Sequence, residues 1–313
     1  MSAAEASRWL RSRAHAYFLH RLILATQPGR PVRIDQIRPD DEEPGLRDFE
    51  VSFLRLLEKI TNGSAVEISY TGTSVYFQPG IVYGGSIVHE CPTSRGVGYF
   101  LEYMVIIAPF AKQEVALTLR GITNGHGDLG ADTIRTVTIP HLALCLPLDS
   151  VSMLASSLEM RIVKRGAAPL GGGEIFFRAP LIATLRPLNF VEPGRIRKIR
   201  GIASAVRVSP QMSNRMIDAA RSVLNRYIPD LYLFSDVYRG DESGKSPGFA
   251  MSLVATSTTG AMHASETTSL PGQTPEDVGL LTARSLLASI ESGGCVDAMH
   301  QPLILILMAL GPE

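Results

Sequence analysis

Residues 164–174, KRGAAPLGGGE, set an Arg-Gly pair and a proline ahead of three consecutive glycines and a glutamate. An arginine beside bare backbone amides suits a phosphate, because glycine lets the main chain come close to an anion. Dinucleotide-binding and P-loop glycine runs hold phosphate by opening a helix whose N-terminal amides face the ligand. Here, however, Leu158, Met160 and Ile162 alternate with Glu159 and Arg161, and EIFFRAP follows at 174–180. Such alternation predicts strands on both sides, so the segment is expected to be a hairpin connection. Most hairpins turn on one or two glycines. A third implies close approach of another backbone or of a nucleotide.

A second stretch, RGDESGKSPG at 239–248, nearly spells a P-loop, but three residues instead of four separate Gly240 from Gly244-Lys245-Ser246. Pro247 and Gly248 lead into a strand-like run rather than a helix, which predicts a hairpin loop. The histidines at 15, 20, 89, 126, 141, 263 and 300 never fall at metal-ligand spacing, and His89, Glu90 and Cys91 would alternate across a strand. They are expected at ordinary strand, loop and core positions. NGHGD at 124–128 offers His126 and Asp128, yet Asn-Gly and Gly-Asp turns account for it, and no serine stands in a G-x-S-x-G elbow. No catalytic or metal-ligating residue is therefore expected. The cations Arg195, Arg197, Lys198 and Arg200, interleaved with Ile196 and Ile199, carry two readings. They are RNA-phosphate contacts, or they mark a solvated edge strand that charge protects from aggregation.

Composition limits the partners. The 313 residues are 45% hydrophobic and 19% charged, a globular balance with room for one large or two ordinary domains. Thirty basic residues balance thirty acidic ones, so contact with nucleic acid must come from a local patch. Cys91, Cys145 and Cys295 include no C-x-x-C pair, which argues against a disulfide framework and for a reducing compartment. The apolar runs YMVIIAPF at 103–110 and LILILMAL at 303–310 are far shorter than the roughly 20 residues that span a bilayer. They are expected in the core, with no membrane partner. In SRWLRSRAHAYFLHRLILA at 7–25, His20 and Arg21 interrupt the apolar continuity a signal sequence needs.

The elements that must position these residues follow from periodicity. The opening predicts a helix running into strands RLILAT and VRIDQIR. In GLRDFEVSFLRLLEKITNG, Leu46, Phe49, Phe53, Leu56, Leu57 and Ile60 share one helical face, with Arg47, Glu50, Arg55, Glu58 and Lys59 on the other and Asn62-Gly63 as the stop. Strands AVEISYTG, SVYFQPG and SIVHE, helix GVGYFLEYMVIIA, strand EVALTLRGI, helix ADTIRTVTIPHLALC interrupted by Pro140, and strand SSLEMRIVKR follow. The order resembles a loosely repeated α+β unit. From about 187 the chain turns rich in Pro, Gly and Arg, then predicts helix QMSNRMIDAARSVLNRYI behind Ser209-Pro210. Strands DLYLFSDVY and GFAMSLVAT come next, then helix EDVGLLTARSLLASIES behind Thr274-Pro275, closed by Gly293-Gly294. Residues 187–295 are expected to be a smaller inserted domain, with 1–186 before it and 296–313 returning to the larger one.

RGAAPLGGGEI, Arg165 to Ile175, resembles the signature of the RNA 3'-terminal phosphate cyclase family at every defined position. Likeness continues through GRPVRI, PGLRDFE, ITNGS, YGGS, RVSPQMSNR, SGKSPGF and GGCVD. The wording is most similar to the eukaryotic cyclase-like branch, a nucleolar ribosome-assembly factor, rather than to the true enzymes. The resemblance implies an α+β fold: a large domain of repeated units, two helices on a four-stranded sheet, with a small α+β domain inserted.

True cyclases activate an RNA terminal phosphate with ATP through a covalent histidine–nucleotide intermediate. Their N-terminal Glu-Gly-Gly-Gly-Gln loop has no counterpart before Arg21, and Glu50 occupies the histidine position after Pro44-Gly45-Leu46-Arg47. Gln301-Pro302-Leu303 replaces Ala-Asp-Gln after Val296-Asp297, and the nucleophilic histidine would lie beyond residue 313. A carboxylate cannot act as an imidazole donor and acceptor, nor can a proline bind metal or nucleotide. The resemblance therefore implies no cofactor and a non-catalytic factor of the small-subunit processome, needed for early pre-rRNA cleavage. Its implied partners are a ribosome-assembly GTPase, pre-rRNA and small nucleolar RNP. A pre-rRNA endonuclease is the alternative, though it lacks an evident acid–base pair or metal cluster. RNA or anion contacts are expected at Arg47, Arg165, Gly171, Gly172, Gly173, Arg195, Arg197, Lys198 and Arg200. The apolar ending LILILMALGPE suggests a shortened product with a sticky core edge, and LALCLPLDSVSMLASS at 142–157 departs from the family wording, which leaves local misfolding or disorder as the expectation there.

Overall fold

The computed structural model describes residues 9–147 and 158–312; most of the divergent segment, LDSVSMLASS at 148–157, lies outside them. Two units share one topology. In the first, β1 (Leu10–Arg13), α1 (Phe18–Thr26), β2 (Val32–Asp35), α2 (Asp48–Ile60), β4 (Ala65–Ile68) and β5 (Val75–Gln78) form a sheet of order β1-β2-β5-β4. The pair β1–β2 is parallel and the others antiparallel. A ribbon of β3 (Thr61–Asn62) and β6 (Ile81–Val82) closes the unit.

The second unit repeats the pattern. It comprises β7 (Gly85–Glu90), α3 (Val97–Ile107), β8 (Val115–Gly121), the helical segment α4, β9 (Glu159–Lys164) and β10 (Gly173–Ala179), in the order β7-β8-β10-β9 with β7–β8 parallel. Segment α4 runs from Ala131–Thr133 through a π-turn at Ile134–Thr138 to Ile139–Leu144. Parallel neighbours need a crossover helix, which α1 and α3 supply. The repeated two-helix, four-strand unit expected from the resemblance is thus present, and the class is α+β.

The opening differs from expectation: LRSR is a strand, and RLILAT belongs to helix α1. Phe18, Leu19, Leu22, Ile23 and Ala25 are buried at helical spacing; a short Leu/Ile run alone does not distinguish helix from strand. Helix α2 forms as expected and stops before Gly63, which has φ +83. Glu50, however, leaves the polar face and is buried. Helix α3 is apolar on most of its circumference, so it sits inside the principal core, where Phe100, Leu101, Met104 and Val105 are fully buried. Pro140 does not break α4; the register widens into the π-turn just ahead of it, so the missing amide is absorbed.

A third sheet contains β11 (Ile196–Val206), β12 (Leu231–Tyr238), β13 (Gly248–Ser257) and β14 (Met262–Thr268), in the order β12-β11-β13-β14. Helices α5 (Gln211–Leu224) and α6 (Pro275–Ser292) cover one face, making a second core with Ile199, Leu233, Leu253, Met216, Val278 and Leu286. The Thr274 hydroxyl accepts from the Asp277 amide and caps α6. One expectation holds in part and another changes. The arginine-rich run is flanked by β13 from Ile196 but by β12 only from Ile199, so Arg200 lies inside the sheet, Arg197 and Lys198 keep an open edge toward β12, and Arg195 precedes the strand. The RGDESGKSPG loop is not a hairpin, because its strands β12 and β13 flank β11. Strand β14 was not foreseen, since MHASETT has little apolar alternation. Helix α7 (Gln301–Leu310) returns to the principal core through Leu303, Ile306 and Leu307, and leaves Leu305 and Met308 exposed.

Candidate functional site

The two glycine-rich loops lie back to back. The Lys245 amide donates to the Gly171 carbonyl at 2.9 Å, the Gly244 amide to the Arg165 carbonyl at 2.6 Å, and the Leu170 amide to the Ser246 hydroxyl at 3.0 Å. A Cβ on Gly244 would overlap the Gly171 carbonyl oxygen, and one on Gly173 would overlap the Gly166 amide nitrogen. Gly171 and Gly172 have φ of +59 and +80. The surplus glycine therefore serves close approach of another backbone.

Arg165 is fully buried at the same joint. Its Nη1 and Nη2 donate to the two Asp132 oxygens at 2.7 and 2.8 Å, and Nε and Nη2 to Asp236 Oδ2 at 3.0 and 2.6 Å. Burial alone would lower its pKa; Asp132 and then Asp236 outweigh this and raise it. One arginine thus ties the end of β9 to the start of α4 and to β12. Glu266 of β14 makes a parallel tie, accepting from the Gly130 amide at 2.7 Å and the Thr133 hydroxyl at 2.5 Å, at the N-terminus of α4.

Beside this joint is a cleft of about 560 Å³ lined by Arg95, Tyr99, Glu102, His126, Asp128 and Glu266, among others. Arg95 lies over the rings of Phe49 and Tyr99 and forks onto Asp128, which also caps α3 by accepting from the Gly96 amide at 2.7 Å. Burial pushes the Glu102 carboxyl up to about 7 and raises that of Glu266 despite its hydrogen bonds. The cleft's arginine is already neutralised, and one of its carboxyls, Glu102, is raised by burial to about 7. It suits acid–base work better than phosphate holding.

The remaining expected positions, Arg47 and the run Arg195, Arg197, Lys198 and Arg200, lie elsewhere, as does Glu50. Arg47, at the start of α2, pairs with Asp41 and Glu43 at 3.0 Å each. Glu50 is held by Arg38 through two bonds of 2.7 and 2.9 Å and accepts from the Arg47 amide at 2.8 Å. Arg195, Arg197, Lys198 and Arg200 lead into and begin β11, away from the glycine loops. Arg165 and the glycines do meet at one joint, but the arginine's donors go to carboxylates. Sequence reasoning missed Arg95, Glu102 and Glu266 and set Asp128 aside as a turn residue; the four come from three separated segments, so their convergence leaves no local spacing to find.

Pro302 lies in the first turn of α7. Just before it, Asp297 accepts from the Ala264 amide at 2.8 Å and from His300 Nδ1 at 2.7 Å. His300 Nε2 in turn lies 2.9 Å from the Thr138 hydroxyl. This buried relay fastens α7 to β14 and α4. The family model described as RNA 3'-terminal phosphate cyclase matches residues 10–313. The chain belongs to that family. It is 50% identical over 298 residues to the rRNA processing protein rcl1 of Schizosaccharomyces pombe, covering 95% of this chain and 80% of that one. It is 48% identical over 302 residues to the human RNA 3'-terminal phosphate cyclase-like protein, covering 95% and 79%. The rRNA processing protein RCL1 of Saccharomyces cerevisiae is 41% identical over 298 residues, covering 95% and 79%. The similarity to cyclase-like relatives noticed in the motifs thus extends along the chain.

Proposed function

We propose that this member of the cyclase family is a non-catalytic rRNA-processing factor of the small-subunit processome, acting in the nucleolus in early pre-rRNA cleavage. Its partners in this reading are a ribosome-assembly GTPase, pre-rRNA and small nucleolar RNP. The observation that carries the reading is Glu50. Where the resemblance puts a cyclase histidine, this chain has a buried carboxylate bound to Arg38 and to the start of its own helix. The names of the relatives, two of them rRNA processing proteins, support the same direction. The proposal keeps the division into 1–186, 187–295 and 296–313, with the middle stretch an inserted domain.

The cleft favours one second reading, a pre-rRNA endonuclease in the same particle, with Glu102 as proton donor at a pKa of about 7. One preparation separates the two. Purified protein is expected to acquire no acid-labile label from radioactive ATP and to leave a model pre-rRNA intact, with or without magnesium. A covalent nucleotide adduct would overturn the non-catalytic reading. So would specific cutting that falls as pH rises through 7 and is lost in Glu102→Gln, since the donor is protonated only below its pKa.

A further inference from the structure

The third sheet has one face under α5 and α6, and on the other Val137 of α4 packs on Val254 of β13 and Ala264 of β14 while Tyr232 and Phe234 of β12 stay exposed. On this second face the cross-strand register sets Arg200 beside Tyr232 and Ile202 beside Phe234, and sets Lys198 against Thr256 of β13. Leu231 and Leu233 turn inward to the helices, so the intervening Tyr232 and Phe234 must turn outward. The two residues are 55% and 49% exposed, and their rings meet edge to face, 4.4 Å between centroids. Two exposed aromatic rings on an open sheet are costly unless something covers them. A cavity of about 300 Å³ opens beside Phe234, bounded by Lys198, Arg200, Ile202 and Val254, with Thr136 of the α4 π-turn at its rim.

Charge indicates what covers this face. Asp236 is occupied by Arg165, and Asp230 by Arg200 at 2.8 Å. Among the described residues, Arg195, Arg197 and Lys198 have no carboxylate partner within ion-pair distance. Unpaired cations at and just before the start of β11, next to the stretch where β12 presents two rings, are the chemistry of single-stranded nucleic acid: phosphates track the charges while bases stack on the aromatics. A duplex keeps its bases inside and cannot use the rings.

We propose that this face binds a single-stranded RNA segment, with bases on Tyr232 and Phe234 and phosphates at Arg195, Arg197 and Lys198. The inference rests on the rRNA-processing reading and adds to it the strandedness of the RNA and the surface that meets it. Fluorescence anisotropy with a labelled single-stranded oligoribonucleotide, and with its duplex, tests this on the full chain. Tyr232→Ala with Phe234→Ala is expected to weaken single-strand binding tenfold or more. Tyr232→Trp with Phe234→Trp should retain it. Arg197→Glu with Lys198→Glu should weaken it and flatten its salt dependence, while Arg161→Glu, on the other sheet, should not. Equal binding of duplex and single strand, or an undiminished alanine variant, overturns the assignment. The same variants expressed in cells depleted of the endogenous protein read the broader function. If the alanine variant binds RNA normally while the wild-type chain restores pre-rRNA maturation, the surface is wrong and the function stands. If the wild-type chain fails to restore maturation, the function itself falls. An alanine variant that loses a protein partner but not RNA also overturns the proposal.

Discussion

Arg165 shows how one residue type can carry opposite meanings. Beside three glycines it reads as a phosphate ligand, yet its guanidinium is enclosed by Asp132 and Asp236. Deleting one member of a buried ion network strands the others in low dielectric, which costs more than the intact network contributes. Arg165→Ala is therefore expected to destabilise the protein by about 3–5 kcal/mol in urea unfolding. A change below about 1 kcal/mol would refute the clamp. Glu50 is the complementary case. Helical spacing puts it on the polar face, and Arg38, from the loop after β2, together with the Arg47 amide makes its burial tolerable.

The paired glycine loops work as elements. Neither is a phosphate cradle; each is shaped by the other's backbone, so Gly244 is required by a carbonyl more than seventy positions away. Gly244→Ala must displace that carbonyl or break the Lys245–Gly171 bond, with an expected loss of about 1–3 kcal/mol. The same substitution at Gly240, where a Cβ would meet nothing within 4 Å, tests φ alone (+59) and is expected to cost less; equal losses would show that the loops do not press together. Most elements were legible in the sequence because α2, α3, α5 and α6 carry long apolar stripes and β8, β10 and β13 alternate or stay apolar. Strand β1 and helix α1 were not, since short apolar runs fit either period. Strand β14 was not because its buried residues include Ser265 and His263, which are polar but hydrogen-bonded.

Across the whole molecule two cores are joined by a few polar ties, Arg165 with its two aspartates, Glu266 on the α4 N-terminus and Asp297 on the Ala264 amide, and by one small apolar cluster of Val137, Val254 and Ala264. Cores that share mainly polar contacts open separately. Amide exchange in rising denaturant is expected to show β11 and β13 opening as one unit and β8 and β10 as another. A single common transition would count against an inserted domain at 187–295.

Local pattern showed a loosely repeated order of strands and helices, and motif wording showed the family and through it implied the α+β repeated unit, because hydrophobic period and motif wording are properties of neighbouring residues. Tertiary structure alone decided that the glycines face a second loop, that Arg165 and Glu50 are internal, and that Glu102 and Glu266 share a cleft. It also placed Arg200 inside a sheet, next to two exposed rings, with the rest of the basic run leading up to it. Each of these depends on which distant carboxylate, carbonyl or strand arrives at a given side chain, and burial and charge pairing are set only when the chain has closed on itself.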